Sequence, residues 1–285
     1  MSRTAYVNGQ YVPLSEALVN IEDRGYQFSD GVYEGIAVRH GVICDLEPHL
    51  DRLGRSMDGI QLEAPMARAP LRLILKEVVR RNKTRDGFLY IQVTRGVAKR
   101  NHAFPDFVPP ALTITCHRLD FDRLITLAKK GVAAHSTPDI RWGRCDLKTI
   151  SLLPNILAKQ EASVAGAFEA IMLDGDGYVT EGSSTNIWMV GADNTLITRS
   201  TSDNILPGIA RHIVKEIAGE LDLSIETRAF SLKEALAARE VFLTSTTSCA
   251  MPITIIDGKK IGDGQPGKVA TALLKSFVER LDQQA

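Results

Sequence analysis

The chain has 285 residues, 44% of them hydrophobic, and its 34 basic residues balance its 34 acidic residues. This length fits one large domain or two of ordinary size. Nucleic-acid-binding proteins usually carry a basic excess, so a formal net charge of zero argues against nucleic-acid partners. No run approaches the roughly 18 apolar residues of a membrane span, and the first residues lack the apolar stretch of a signal peptide. We expect no membrane association.

The cysteines are scattered along the chain, and no two of them have CxxC spacing; they are Cys44, Cys116, Cys145 and Cys249. In a chain of this length they predict free, mostly buried thiols and a reducing compartment. We therefore expect a cytoplasmic protein.

The N-terminal part is predicted to combine hairpins with helices. Asn8-Gly9 and His40-Gly41 are turn signals between short apolar runs. Apolar spacing predicts helices over residues 46–57 and 69–80, and buried strands over residues 88–94 and 111–116. The polar loop 95–110 between these two strands is long enough to be functional or mobile.

Residues 118–122 are interpreted as a linker between a small N-terminal domain, 1–119, and a larger C-terminal domain, 123–285. The C-terminal part alternates predicted helices, at 155–165, 209–221 and 268–281, with predicted strands at 168–173, 186–190, 241–244 and 253–256. This mixture of hairpins and helices predicts an α+β fold rather than a doubly wound parallel sheet.

Two motifs are interpreted as structural. Gly262-x-Gly264-x-x-Gly267 matches a dinucleotide fingerprint, but only one helix follows it and no βαβ unit can form. Asp174-Gly175-Asp176-Gly177 lacks most ligands of a calcium loop and is predicted to be a hairpin turn. The histidines show no HxxxH pair, so we expect no metal site.

Four segments carry candidate chemistry. Lys148 follows Arg144-Cys145-Asp146-Leu147, and Glu181 opens Glu181-Gly182-Ser183-Ser184-Thr185-Asn186 before an apolar strand. Ile205-Leu206-Pro207-Gly208 leads into a helix whose first N–H groups could bind an anion such as phosphate, and Thr244-Ser245-Thr246-Thr247-Ser248 ends a strand. Taken alone, each has an ordinary interpretation as a solvated lysine, a turn carboxylate, a helix start or a strand end.

Together, these segments resemble class IV aminotransferases, the pyridoxal-phosphate (PLP) fold-type IV family, over nearly the whole chain. The segments Leu157-Ala158-Lys159-Gln160 and Gly166-Ala167-Phe168-Glu169-Ala170 add to the resemblance. Within the family the chain is most similar to D-alanine (D-amino acid) aminotransferases. The resemblance implies a small N-terminal α/β domain and a larger C-terminal α/β pseudo-barrel.

The resemblance also implies roles for individual residues. Lys148 would hold PLP as a Schiff base and then carry the proton at the substrate Cα. Glu181 would face the pyridine nitrogen and keep it protonated. The phosphate would be bound by Arg52, by the backbone of Ile209 and Ala210, and by Thr246. Arg52 otherwise reads as a surface residue of an amphipathic helix.

For the substrate, D-amino acid aminotransferases are similar in the loop Arg95-Gly96-Val97-Ala98-Lys99-Arg100-Asn101-His102. The resemblance implies that Arg100 and His102 reach in from the neighbouring subunit of a homodimer. With Tyr33 they would bind the substrate carboxylate, for which a guanidinium is suited because it can bind both oxygens. The side of the cofactor on which this carboxylate trap lies would select D rather than L substrates.

The expected reaction is ping-pong transamination, in which D-alanine and 2-oxoglutarate give pyruvate and D-glutamate. Four alternatives stay open at this point. Three share the fold: a branched-chain L-aminotransferase, an aminodeoxychorismate lyase and an (R)-amine transaminase. The fourth is a catalytically silent binding protein, against which the complete set of Lys148, Glu181 and phosphate-binding residues argues.

Overall fold

A computed structural model describes residues 3–202 and 204–284 of the protein. Within this part the chain forms two compact units. The first contains residues up to Asp120 together with the segment Leu147–Ser151 and Gln284, and the second contains Phe121–Asp146 and Leu152–Gln283. Lys148 therefore belongs to the first unit by its contacts. The division into domains 1–119 and 123–285 stays a prediction.

The first unit is built on a six-stranded antiparallel sheet with strand order β2-β1-β6-β5-β3-β4. Its strands are β1 (Thr4–Val7), β2 (Gln10–Pro13), β3 (Gly31–Arg39), β4 (Val42–Ile43), β5 (Gly87–Thr94) and β6 (Ala111–Arg118). Its helices are α1 (Arg24–Phe28), α2 (Leu46–Gly59) and α3 (Arg68–Asn82). The core of the unit is formed by β3, β5 and β6 with the apolar faces of α2 and α3.

Local sequence explains these elements. Leu89, Ile91 and Val93 are buried at alternating positions of β5, as expected for a strand with one face in the core. Helix α2 buries Leu50 and Leu53, but the same buried face also contains charged and polar side chains. These polar groups lie against β3 and form part of the candidate site.

The second unit contains a nine-stranded mixed sheet. Its main strand order is β12-β11-β10-β13-β14-β7-β8-β9, with β15 paired to β14. The β7–β8, β7–β14 and β11–β12 pairs are parallel. The strands are β7 (Val132–Pro138), β8 (Glu169–Leu173), β9 (Val179–Gly182), β10 (Asn186–Val190), β11 (Leu196–Thr198), β12 (Ile225–Thr227), β13 (Glu240–Ser245), β14 (Cys249–Ile256) and β15 (Lys259–Lys260).

Five helices belong to the second unit: α4 (Phe121–Ala128), α5 (Leu153–Val164), α6 (Ile209–Glu220), α7 (Leu232–Ala237) and α8 (Lys268–Gln283). The α+β class is confirmed, as are the predicted hairpins and the longer helices. The segment interpreted as a linker is shorter than expected, because β6 runs to Arg118 and α4 begins at Phe121. No helix among residues 3–202 and 204–284 is long and apolar enough to cross a membrane.

The glycine-rich segment before α8 is a structural turn, as predicted. Glu240 occupies the N-terminus of α8, where its carboxylate accepts hydrogen bonds from the amides of Val269 (3.1 Å) and Ala270 (2.8 Å). A Cβ at Gly267 would collide with this carboxylate, which explains the glycine. The place that a cofactor phosphate would take is therefore filled by the protein itself.

The Asp174 turn is also explained by contacts within the chain. Asp174 Oδ1 accepts hydrogen bonds from the amides of Asp176 and Tyr178, and Oδ2 accepts one from Arg199 at 2.8 Å. No group of side chains able to hold a metal ion occurs in the part of the chain that the structure describes.

Candidate active site

The backbone of Lys148 is fixed by the first unit. The amide of Tyr33 in β3 donates to the Lys148 carbonyl at 2.9 Å, and the Lys148 amide donates to Ser56 Oγ of α2 at 3.1 Å. The amide of Ile150 donates in turn to the Gly31 carbonyl at 3.1 Å. The segment Leu147–Ser151 is thus attached along β3, which holds Lys148 at one position.

The side chain of Lys148 lies against an aromatic pair. Its Nζ is 4.2 Å from the centre of the Tyr33 ring, and this ring is 5.5 Å from that of Tyr90. Burial, and to a smaller extent Tyr33, raises the pKa of Tyr90 to about 12, so its hydroxyl stays protonated and donates to Gln92 at 2.7 Å. An ammonium group over an aromatic face gains cation–π attraction. Lys148 is therefore held beside Tyr33, one of the predicted substrate-binding residues.

Arg52 is buried in α2, although its sequence context suggested a surface position. Its guanidinium binds the carboxylate of Glu34 through both oxygens, at 2.7 and 2.9 Å. The three side chains of Glu34, His49 and Arg52 are each at most 4% exposed. His49 Nδ1 lies 2.7 Å from the second oxygen of Glu34. Because an ionised carboxylate only accepts hydrogen bonds, Nδ1 carries the proton.

Opposing effects set the charge of Glu34. Burial alone would raise its pKa, but the charge and hydrogen bonds of Arg52, together with the hydrogen bond from His49, lower it to about 2. Burial lowers the pKa of His49, which therefore stays neutral at pH 7. The Glu34 carboxylate thus remains ionised and fixes the plane in which Arg52 can bind an anion.

We expect Glu34→Gln to destabilise the first unit by about 3 kcal/mol at pH 7, because it leaves the Arg52 guanidinium buried without its counter-charge. The carboxylate has a lower pKa in the folded than in the unfolded state, so its stabilisation is present above the ordinary value of 4.5 and is lost as the pH falls towards about 2. Urea unfolding of both proteins across this range should show the difference shrinking as the pH falls. A difference that does not depend on pH would contradict this account.

The three residues of the predicted carboxylate trap do not contact one another as a set within the described residues of a single chain. The Arg100 guanidinium lies 4.6 Å from the centre of the Phe28 ring, and the His102 ring lies 5.3 Å from the same ring. Tyr33 instead contacts Tyr90 and Lys148. Among residues 3–202 and 204–284, no hydrogen bond, ion pair or ring contact joins Tyr33 to Arg100 or His102. One chain therefore brings together Arg100 and His102, but not the complete trap.

In the second unit, Glu181 is a buried carboxylate with several donors. Arg141 forms an ion pair with Oε1. Oε2 accepts hydrogen bonds from Asn186 Nδ2 at 2.9 Å and from the Leu206 amide at 3.2 Å. Asn186 Nδ2 also donates to the Leu206 carbonyl at 3.0 Å. Glu181 is therefore fixed between β10 and the segment before α6, and three donors favour its ionised form.

Arg141 is held in turn by Asp139. The guanidinium binds both Asp139 oxygens, at 2.9 and 2.7 Å, and the Thr180 hydroxyl donates to Asp139 Oδ2 at 2.6 Å. Burial opposes the charge of Arg141, but the hydrogen bonds to Asp139 and the charges of Glu181 and Asp139 raise its pKa. Burial likewise opposes the charge of Asp139, whose pKa is nevertheless lowered by these donors. One guanidinium thus lies between two carboxylates.

The start of α6 has the features of an anion site. Its N-cap is Gly208, and none of the side chains that the structure describes caps the helix. The first two helical residues, Ile209 and Ala210, are buried. A Cβ at Gly208 would collide with Asn186 Oδ1, so the close approach of this turn to Asn186 requires glycine. Amides at an uncapped helix N-terminus suit a phosphate group. Thr246, the remaining predicted phosphate ligand, lies in the turn after β13.

Two buried polar atoms of the second unit, Thr185 Oγ1 and Arg211 Nε, have no hydrogen-bond partner among the residues that the structure describes. Such atoms are rare in proteins and often indicate a missing ligand or water. Thr185 belongs to the same segment as Glu181, and Arg211 is the third residue of α6. With the uncapped helix and the buried carboxylate, these atoms form a set that fits a phosphorylated, cationic heterocycle such as PLP.

Sequence reasoning missed the residues that support the site. A supporting role for Asn186 could have been predicted, because this residue ends the motif that begins at Glu181. Arg141 and Asp139 had no local signal, since Arg141 lies 40 residues before Glu181. Glu34 and His49 likewise read as ordinary members of a strand and a helix.

The sequence model of the amino-transferase class IV family matches residues 31–256. The chain belongs to this family of enzymes. It is 42% identical to the D-alanine aminotransferase of Bacillus licheniformis over 95% of this chain and 96% of the relative. It is 38% identical to the D-alanine aminotransferase of Staphylococcus epidermidis over 95% of each chain.

Solved structures show the same fold. The branched-chain amino acid aminotransferase of T.th., complexed with N-(5'-phosphopyridoxyl)-L-glutamate, superimposes with a TM-score of 0.90 at 27% identity. The match covers 100% of this chain and 96% of that one. The expected fold-type IV architecture is therefore confirmed.

Proposed function

We propose that this enzyme transfers amino groups between D-amino acids and 2-oxo acids, taking D-alanine and 2-oxoglutarate to pyruvate and D-glutamate. The observation that carries the proposal is the similarity to D-alanine aminotransferases at 42% identity over nearly the whole of both chains. The cofactor is pyridoxal 5'-phosphate, which supplies an electron sink for the carbanion that forms at the substrate Cα.

The proposed cofactor-binding residues have separate roles. Lys148 would attach the cofactor covalently and would then carry the proton at the substrate Cα. Arg52, in the plane set by Glu34, would bind the phosphate. Glu181 would hold a proton on the pyridine nitrogen, since a fixed carboxylate favours the cationic ring. The phosphate would also accept hydrogen bonds from the amides of Ile209 and Ala210 and from Thr246.

The reaction would run in two halves at the same residues. In the first half D-alanine leaves its amino group on the enzyme and departs as pyruvate, and in the second 2-oxoglutarate takes that group up. Both substrates carry an α-carboxylate, which Tyr33, Arg100 and His102 would bind. Measuring pyruvate from D-alanine with 2-oxoglutarate as acceptor tests this proposal, and turnover of L-leucine without any turnover of D-alanine would contradict it.

A homodimer would complete the trap. Among the described residues, Arg100 and His102 contact Phe28 of their own chain and make no contact with Tyr33, as expected if they act in a neighbouring subunit. Four large apolar side chains of the first unit are each at least 76% exposed: Leu18, Ile21, Tyr26 and Phe107. Exposed apolar surface is typical of protein–protein interfaces. We propose that this surface packs against a second copy of the chain.

Mixed dimers test the shared site directly. If Arg100 acts in the partner's site, a dimer of one Lys148→Ala chain and one Arg100→Ala chain contains one intact site and one site that lacks both groups. Random reassociation of equal amounts should then restore about a quarter of the wild-type kcat/KM, since half of the dimers are mixed and each has one working site. If Arg100 acts in its own chain, no intact site forms and mixing restores nothing.

A branched-chain L-aminotransferase is the second candidate, favoured by the TM-score of 0.90 to the T.th. enzyme. Its identity to this chain is 27%, against 42% for the D-alanine aminotransferase of B. licheniformis. Assays with L-leucine alongside D-alanine separate the two candidates. Aminodeoxychorismate and (R)-1-phenylethylamine complete the comparison as substrates of the other enzymes with this fold.

We also propose that the enzyme works in the cytoplasm. All four cysteines are buried thiols. Burial raises the pKa of the Cys116 thiol and, for Cys145, raises it to about 11. Such thiols are protonated and unreactive at neutral pH, which is compatible with a reducing compartment.

A further inference from the structure

We propose that Arg24 is a positioning residue that holds the loop carrying Arg100 and His102 in the conformation that binds the substrate carboxylate. This inference rests on the function proposed above and adds a residue to it. Arg24 lies about 75 positions before the loop in sequence, and its role would be to act through Arg100 and His102 rather than to touch the substrate.

The guanidinium of Arg24 binds the backbone of the loop at three consecutive residues. Nη1 donates to the carbonyls of Asn101 at 2.6 Å and Ala103 at 3.3 Å, and Nη2 donates to the carbonyl of His102 at 3.4 Å. Arg24 itself is 3% exposed. These three hydrogen bonds restrict the backbone at and beside His102.

The side chains of Arg100 and His102 also contact the short helix α1. Phe28 of α1 lies beneath the Arg24 guanidinium at 4.9 Å, and its ring also contacts the Arg100 guanidinium at 4.6 Å and the His102 ring at 5.3 Å. Helix α1 therefore holds the backbone of the loop through Arg24 and its two functional side chains through Phe28. The conformations of Arg100 and His102 consequently depend on α1.

The position of Arg24 is fixed by Asp30, which it shares with Arg95. Arg24 Nε and Arg95 Nε both donate to Asp30 Oδ2 at 2.8 Å. Arg95, where the loop begins, also donates to the carbonyls of Ile60 and Gln61 at 2.7 and 2.8 Å. One carboxylate thus serves two buried guanidinium groups, and backbone carbonyls satisfy most of the remaining donors.

This arrangement requires arginine. A guanidinium has five N–H donors in one plane, and here it reaches Asp30 and three carbonyls at once. The ammonium group of a lysine is compact and could keep the ion pair with Asp30 or reach the loop, but not both. Arg24→Lys should therefore loosen the loop while keeping the buried charge balance.

We expect the loss of the Arg24 side chain to affect only the binding of the substrate carboxylate. The contacts of Lys148, Glu181 and Arg52 described above do not include Arg24. We therefore expect Arg24→Ala to raise KM for D-alanine and KM for 2-oxoglutarate together by about tenfold or more, equivalent to about 1.4 kcal/mol. The value of kcat and the retention of bound PLP, read from its visible absorbance, should stay close to those of the wild type.

The experiment compares Arg24→Ala, Arg24→Lys and Arg100→Ala with Arg55→Ala, which removes an exposed arginine of α2 as a control. Guanidinium ion, added far below denaturing concentrations, should lower both KM values of Arg24→Ala and leave those of the control unchanged. Arg24→Lys, which keeps the charge beside Asp30, should also show raised KM values, so the test remains if Arg24→Ala folds poorly.

The outcomes separate this inference from the proposed function. Unchanged KM values for both Arg24 variants, with a raised KM for Arg100→Ala, would overturn the role of Arg24 and leave the carboxylate trap standing. Unchanged KM values for Arg100→Ala as well would overturn the trap itself. A loss of kcat and of bound PLP in Arg24→Lys, without a rise in KM, would show that Arg24 supports the fold in general and would also overturn the inference.

Discussion

Replacing Lys148 with alanine should lower the rate of D-alanine transamination by at least about 10³-fold, within the range that a positioned acid–base group contributes. In the proposed function, the variant would lose both the covalent attachment of the cofactor and the amine that would carry the proton at the substrate Cα. Tyr33 is the neighbour of the amine, 4.2 Å from Nζ, and the raised pKa of adjacent Tyr90 leaves that residue unsuited to act as a base. Neither tyrosine can therefore replace the amine.

Pyruvate formation by Lys148→Ala measures this effect, and Lys275→Ala serves as the matched control because Lys275 is 76% exposed on α8. Thermal unfolding should be similar for the two variants, since the contacts that fix residue 148 are made by its backbone. A Lys148→Ala enzyme that keeps a tenth or so of the wild-type rate would be incompatible with the assignment of the catalytic amine.

The second large effect is expected at Glu181. Glu181→Gln keeps the shape of the side chain but removes the charge that would hold a proton on the pyridine nitrogen. We expect kcat to fall by about 10²-fold, comparable to the loss of one preorganised electrostatic contact in an active site. The variant should also be less stable, because Arg141 then has only Asp139 as its counter-charge in a buried site.

Asp139→Asn is the matched control for Glu181→Gln. It weakens the same Arg141 network but keeps the Glu181 carboxylate, so kcat should fall less than tenfold while stability falls by a similar amount. Measuring kcat at saturating substrate, together with urea unfolding, separates the two effects. Equal kcat losses in the two variants would mean that the network matters through stability, and would refute the role assigned to Glu181.

Local sequence patterns predicted the longer elements of the fold. Helices α2, α3, α6 and α8 have apolar residues at helical spacing, and Asn8-Gly9 sets the first hairpin. The shorter elements escaped prediction. Helix α1 has five residues, too few for a period to emerge, and its stability comes from Asp23 as N-cap and from the burial of Arg24. Strand β7 was not predicted because it lacks a run of large apolar residues, and it is defined instead by its parallel pairing with β8 and β14.

The candidate catalytic residues had a clearer sequence signal than the residues that support them. Lys148 and Glu181 stand in contiguous motifs, so the sequence contains their signal. Supporting residues come from distant parts of the chain. Arg141 forms an ion pair with Glu181, and Arg24 binds the backbone of the loop that carries Arg100. Arg52 shows the limit of pattern reasoning, since a charged residue on an amphipathic helix is ordinarily exposed. Here Glu34, 18 residues earlier, stabilises it in the buried state.

The chirality of the glutamate formed from D-alanine and 2-oxoglutarate is the most direct measure of the proposed function, because it reports both amino transfer and the face on which the proton is delivered. Purified enzyme with added PLP should give D-glutamate in amounts equal to pyruvate, resolved by chiral chromatography. Formation of L-glutamate, or pyruvate release without any glutamate, would contradict the account.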